Sequence, residues 1–330
     1  MLPILSFSIA GVRDTINHWF SLVLLIILLP GTVMGAEVKD TCVTGLYLKN
    51  IYDLQPNEYA YTADFWIWFN HKQPTFDPLQ NVEIINAKQT IFTDTYRATV
   101  NDKSLLASES ARATLIHDWK LENYPFDRQS FRIDLEAGLD TSKMILNASP
   151  GNFKLYKGLI LPGWDIQSLK AKESTVTYDA DFGEHQLKGR STFSRITYII
   201  EIKRQGWGLF FKLLLGLYIS FFVAFLVFFV PPTSDQRFGL SIGGLFAAIA
   251  NKYVTDSNIP VSISFSFVDQ VHVLTFTFML VILVLSLLSL KIAKTKNHQK
   301  RIAFDRACAS VVLIAYIVIN TTLIIKAYIG

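Results

Sequence analysis

Residues 193–230 read FSRITYIIEIKRQGWGLFFKLLLGLYISFFVAFLVFFV. Two kinds of structure meet in this one stretch. Phe193–Lys203 is rich in β-branched and aromatic residues and suits a strand. After Arg204 the character changes. Leu209–Val230 runs for 22 residues with one charge, Lys212. A bilayer core needs about 20 apolar residues in a helix, so this run is long enough to span it. The chain is therefore expected to divide near residue 206.

Upstream, the strongest signal is Tyr61–Phe69. Tyr61, Ala63, Phe65, Ile67 and Phe69 fall on one face, and Thr62, Asp64, Trp66 and Trp68 on the other. Period two marks a half-buried strand. Further strands are expected at Thr44–Tyr52, Val82–Phe92, Ala111–Trp119, Ser130–Glu136 and Asp165–Ala171. Turn-rich clusters such as Asn147–Asn152 and Leu161-Pro162-Gly163 separate them. Short strands without a long helical pattern predict an antiparallel, immunoglobulin-like β-sandwich over residues 37–206.

Downstream, Val271–Leu290 and Ala307–Ile325 carry no acidic or basic charge and can each span. Phe238–Val254 is less apolar and rich in Gly, Ala and polar residues, which suits a helix surrounded by others or lining water. Residues 207–330 are thus predicted to form a four-helix transmembrane bundle, with helices near 208–230, 236–255, 266–291 and 305–327. Lys291, Lys294, Lys296, Lys300, Arg301 and Arg306 oppose a single acid, Asp305. This excess makes the loop at 292–304 cytoplasmic, and leaves the β domain and the C-terminus outside the cell (inner) membrane. At the N-terminus, Trp19–Leu29 is too short to span and precedes Pro30 and the small pair Gly35-Ala36. Residues 1–36 read as a signal peptide.

Composition agrees with a membrane protein: 51% of residues are hydrophobic and 18% charged. The net charge of +4 forms no broad basic patch, so no nucleic-acid partner is expected. Cys42 and Cys308 fall in different expected compartments, and neither has a metal-spaced neighbour. No metal, cofactor or catalytic role is expected. Gly239-Leu240-Ser241-Ile242-Gly243 fits the nucleophile-elbow pattern but lies within an apolar helix candidate rather than after a strand.

Tyr124-Pro125-Phe126-Asp127-Arg128-Gln129 resembles the Phe-Pro-Phe-Asp-x-Gln signature of the Cys-loop receptor superfamily, in the branch of prokaryotic pentameric ligand-gated ion channels that lack the paired cysteines. His117 and Phe131 stand where those cysteines would be, so packing is expected to close the loop. The resemblance runs from Thr44 onward through Phe76-Asp77-Pro78, Gly163-Trp164-Asp165, Lys203-Arg204 and Asn258-Ile259-Pro260. Two departures are Gly216 near the place of a common proline and His71 in place of a frequent tryptophan.

The resemblance implies a homopentamer, each subunit joined by four further copies of itself, bearing an outer agonist site and a central pore for inorganic cations. Asp235, Gly239, Gly243, Phe246, Ala250 and Tyr253 recur at helical spacing and would line the pore. Asp235 would form an acidic inner ring, Phe246 the constriction, and Asp256 added charge at the outer mouth. Arg237 either offsets the acidic ring or, as is common in the family, points away from the axis, and Lys252 is expected to sit between helices. Coupling would use the turn Gln55–Glu58, the tip Tyr124–Asp127 with Pro125 and Phe126, Arg204, and the linker Asp256–Ser262 with Pro260. Arg204, Asp127 and Glu58 would form an ion cluster. Asp269 and His272 lie one turn apart, either as a proton-sensing pair or as polar contacts with the linker.

For the agonist, Trp66, Tyr178 and Phe182 match the family's aromatic box, whereas Ile85 and Gly138 stand where aromatics are common. Two missing walls argue against an acetylcholine-like agonist. A small amine, an acid, a proton or no agonist remain open, with membrane lipid as the surroundings. The alternative is a non-conducting, receptor-like sensor of the same fold.

Overall fold

The computed structural model describes residues 40–74, 76–101, 104–183, 189–260, 264–294 and 298–330. The predicted signal peptide lies outside them. Among the described residues nine strands come first: β1 (Asp40–Gln55), β2 (Ala60–His71), β3 (Val82–Ile84), β4 (Ala87–Asn101), β5 (Ser104–Ile116), β6 (Arg128–Asp140), β7 (Met144–Leu155), β8 (Trp164–Tyr178) and β9 (Ser191–Arg204). They form a five-stranded sheet, β4-β5-β2-β1-β7, and a four-stranded sheet, β3-β6-β9-β8.

Alternation decides which side chains fill the sandwich. On β2, Tyr61, Ala63, Phe65, Ile67 and Phe69 are all buried. Phe131, Ile133 and Leu135 of β6, with Ile196, Tyr198, Ile200 and Ile202 of β9, supply the other sheet's inner face. Each large side chain so buried contributes about 1.5–3 kcal/mol. On β1 the buried positions Cys42, Thr44, Leu46 and Leu48 are even-numbered, yet Ile51 is also buried. A register shift between Leu48 and Asn50 changes the phase, as one extra residue in a strand does.

Four expectations for the sandwich need correction. Val82–Phe92 is not one strand: it breaks at Ile85-Asn86, β3 pairs with β6, and β4 pairs with β5 in the other sheet. Ala111–Trp119 is the end of a longer β5, with Trp119 beyond it. Asn147–Asn152 does not separate two strands but is an irregular stretch within β7, where pairing with β1 skips from Ala148 to Phe153 and Gly151 adopts φ 75°. The sandwich is not wholly antiparallel either, since β7 runs parallel to β1.

Four helices follow: α1 (Trp207–Phe225, continued by a 3-10 turn Leu226–Phe229), α2 (Gln236–Asn258), α3 (Phe267–Ala293) and α4 (His298–Ile329). Three stretches, Trp207–Phe229, Phe267–Ala293 and Gln299–Ile329, are helical, long and apolar enough to cross a membrane; α2 is not among them. A Ser266 and Asp269 capping box starts α3: each side chain accepts from the other residue's backbone N–H. Most of the expected loop 292–304 is helix, because α4 begins at His298. Charged and polar residues such as Gln299, Lys300 and Arg301 are good helix formers, so an apolar boundary is no helix boundary.

Candidate functional site

The loop between β5 and β6 carries the sequence motif, and its tip is lodged against the helices. The Phe126 ring lies 5.0 Å from Trp207 and 5.8 Å from Phe210 of α1, 6.0 Å from Phe267 of α3 and 5.7 Å from Tyr328 of α4. The Phe267 N–H donates to the Glu122 carbonyl at 2.7 Å. A side chain at Gly206 would overlap the Pro125 carbonyl, so glycine is what lets the first helix approach this loop. One loop of the sandwich thus touches three helices.

Asp127, 1% exposed, sits at the base of this tip. Arg204 donates from Nε to Asp127 Oδ1 at 2.6 Å and from its terminal nitrogen to Oδ2 at 3.1 Å. The guanidinium also lies over the rings of Trp164, at 4.0 Å, and Tyr124, at 5.0 Å. Gln129 Nε2 donates to Asp127 Oδ2 at 2.8 Å. Glu58 is absent from the cluster. It belongs to an unburied 3-10 turn, Pro56–Glu58, and its carbonyl accepts from Lys88 Nζ. Gln129, not Glu58, is the third polar member, and only its place two residues on, at the start of β6, hinted at this.

His117 and Phe131 meet edge to face at 4.8 Å, and Phe131 stacks on Tyr61 at 4.2 Å. Aromatic packing closes the loop. Gln129 Oε1 accepts from the Lys120 N–H, while Gln129 Nε2 donates to the Lys120 carbonyl. This fixes the amide's orientation, so His117 Nε2 must donate to Gln129 Oε1, 3.1 Å away. Burial, chiefly, holds the imidazole below its ordinary 6.5. The folded state keeps it neutral, whereas the unfolded chain binds a proton below pH 6.5. Stability present above that pH is therefore lost as pH falls from 6.5 toward the lowered folded value. Thermal unfolding followed by circular dichroism should show this loss, at most about 1.4 kcal/mol per pH unit. His117→Phe should flatten the slope; equal slopes in both proteins would refute the assignment.

The second candidate region is α2. Arg237, Ser241, Gly244, Ala248 and Thr255 are its buried residues. They lie on one face. Gly244 packs against the Ser220 carbonyl and Ala224 of α1. Asn251 fits against Gly216, so the glycine near the missing proline makes room for an amide. The opposite face carries Asp235, Gly239, Gly243, Phe246, Ala250 and Tyr253, all exposed in the single chain. Phe246 is 67% and Tyr253 75% exposed, although both are large and apolar. Pro260 follows the C-cap Ile259 and ends the helix. Val261 and Ser262 of the expected linker lie outside the described residues.

Charge along α2 is arranged by neighbouring helices. Arg237 is fully buried and bonded to Asp305 of α4 at 2.9 Å, Ser286 of α3 at 3.0 Å and the Val230 carbonyl at 3.1 Å. It points away from Asp235's face. Sequence reading missed Asp305, which stands 68 residues away with no local signal. Lys252 bonds Asp269 of α3 at 2.7 Å and also Asp256. Asp256 is thus partly neutralised, which corrects the expectation of a simple acidic charge there. Asp269 and His272 do not pair. Asp269 serves the capping box and Lys252, whereas buried His272 bonds the Val268 carbonyl at 2.8 Å and Asn251 at 3.3 Å.

The aromatic residues of the expected agonist box lie on both sheets. On the four-stranded sheet, Tyr178 of β8 and Phe193 of β9 form a triangle with Phe182 of the hairpin between them, with ring separations of 5.7–5.8 Å. The Tyr178 hydroxyl donates to Glu136 at 3.0 Å and accepts from Arg195 at 2.9 Å. Arg195 Nε donates to Glu136 at 2.8 Å. Glu136 and Arg195 face each other across β6 and β9, a pairing visible only once the register is known. Residues 184–188 of the capping hairpin lie outside the described residues. Trp66 is on the other sheet with Lys49 Nζ over its ring at 5.4 Å. Gly138 donates its N–H to the Asn81 carbonyl, and a Cβ there would press on that backbone at 3.3 Å, so a larger side chain at this position would crowd the loop. Ile85 lines a cavity of about 620 Å³ with His117, Gln129 and Asp134.

Compared with known protein families and with characterised proteins, the chain matches none.

Proposed function

We propose that this chain is a subunit of a homopentameric, ligand-gated, cation-preferring ion channel, with four helices forming its membrane part and the sandwich outside. The observation that carries this reading is the bare face of α2. The least apolar helix of the bundle leaves Asp235, Gly239, Gly243, Phe246, Ala250 and Tyr253 uncovered by its own chain. Five such faces around an axis would cover one another and enclose water. The seating of Phe126 among three helices supports mechanical coupling between sandwich and bundle. The burial of Arg237 against Asp305 supports cation preference, because it leaves Asp235 unopposed at the mouth. A small amine, an acid or a proton remain the classes of agonist.

Current recordings from the purified protein in planar bilayers test this. Asp235→Ala should lower cation-over-anion preference roughly tenfold, since a focused ring charge concentrates counter-ions by about that factor or more. Phe246→Ala should raise unitary conductance by opening an apolar constriction. Unchanged selectivity in Asp235→Ala would remove the acidic ring. An intact pentamer that passes no current across pH and ligands would favour the sensor reading, which the two bulky rings of Phe246 and Tyr253 on the same face also suit.

A further inference from the structure

At the end of the helices remote from the sandwich lies a cavity of about 530 Å³. Phe228, Phe229 and Pro231, just after α1, line it together with Arg301, Ile302 and Arg306 of α4. One wall is apolar and the other cationic. Asp305 also borders the cavity, but its carboxylate is held by Arg237 at 2.9 and 3.3 Å. It therefore does little to neutralise Arg301 and Arg306. Arg301 Nε is buried without a hydrogen-bond partner among the described residues. A buried donor of this kind calls for an acceptor.

The position of the cavity selects the occupant. The apolar stretch Trp207–Phe229 ends here, and Gln299–Ile329 begins here. The cavity thus sits where hydrocarbon gives way to headgroups. A free anion would satisfy only the arginines, and an uncharged lipid only the phenylalanines. A molecule with acyl chains and a negative headgroup satisfies both, and basic pockets between membrane helices bind such headgroups. We propose that this cavity binds an anionic phospholipid, with its phosphate on Arg301 and Arg306 and its upper acyl carbons on Phe228 and Phe229. The proposal requires these helices to lie in a membrane but does not require the protein to conduct.

The test titrates the purified full-length protein, in neutral detergent, with short-chain phosphatidylglycerol and follows the thermal unfolding midpoint. The midpoint should rise and saturate. Arg301→Gln/Arg306→Gln should need roughly thirtyfold more lipid for the same rise, about fivefold for each interfacial arginine. Ser310→Trp, at an exposed rim position, should weaken binding without changing charge. It decides the matter if the arginine variant unfolds by itself. Lys291→Gln/Lys294→Gln, outside the cavity, should bind as the parent does. Four results would overturn the proposal. One is an equal rise with inorganic phosphate, which would make this a free-anion site. A second is an equal rise with phosphatidylcholine. A third is unchanged affinity in both cavity variants. The last is an equal loss in the lysine variant, which would indicate diffuse attraction by the basic segment.

Discussion

Arg204→Met is expected to destabilise the folded protein by about 3–5 kcal/mol, the cost of leaving a buried carboxylate without its cation. Asp127 is 1% exposed and takes two of its hydrogen bonds from Arg204. Without them it keeps the Gln129 amide, which donates one bond and no charge. Asp127→Asn should cost less, because the guanidinium retains the faces of Trp164 and Tyr124 and reaches solvent at 14% exposure. The double variant Arg204→Met/Asp127→Asn should recover part of the loss, since no charge is then stranded. Denaturation of the four proteins in detergent measures the cycle. Simple additivity would mean that the pair acts as two independent surface charges. Under the channel reading, Arg204→Met also interrupts coupling, so agonist-evoked current should fall even at temperatures where the pentamer stays folded.

The second large effect is expected at Arg237. This side chain is 0% exposed, and Asp305 is 9% exposed. Arg237→Met leaves the carboxylate buried among α1, α3 and α4, and about 3–5 kcal/mol of stability should be lost. Asp305→Asn should be milder, because Ser286 Oγ and the Val230 carbonyl still accept from the guanidinium. Unfolding midpoints of the two variants decide this, and a larger loss in Asp305→Asn would reverse the argument. Neither residue lies on the bare face of α2. Under the channel reading, cation preference should therefore survive Asp305→Asn while it falls in Asp235→Ala, which would separate a structural charge from a pore charge.

Much of the architecture was legible from local pattern. Tyr61–Phe69 alternates, and its apolar members are the buried ones. Leu209–Val230 is too long and apolar for a sandwich strand, and it became α1 with its 3-10 extension. Where local pattern misled, a distant partner had overridden it. Asn147–Asn152 contains Asn, Ser, Pro and Gly, yet β7 continues past it, because Ala148 pairs with Thr44 and Phe153 with Leu46 of β1 on either side of the irregular residues between. Ile85-Asn86 interrupts what looked like one strand because β3 and β4 belong to different sheets. The basic segment after α3 looked like loop because charge marks the membrane boundary, whereas backbone helicity continues past it.

The sites divide in the same way. The meeting of Arg204 and Asp127 was implied only by the resemblance of their two separate motifs, whereas sequence by itself spaced the face of α2 and located the apolar stretches. These follow from periodicity, length and residue type, which are properties of a segment. Only the tertiary structure replaced Glu58 with Gln129 beside Asp127, joined Glu136 to Arg195, sent Arg237 to Asp305, and laid Lys252 between Asp256 and Asp269. Most of these partners lie far apart in the chain. Their meeting depends on strand register and helix rotation, which are set by the packing of whole elements and not by any one segment's sequence.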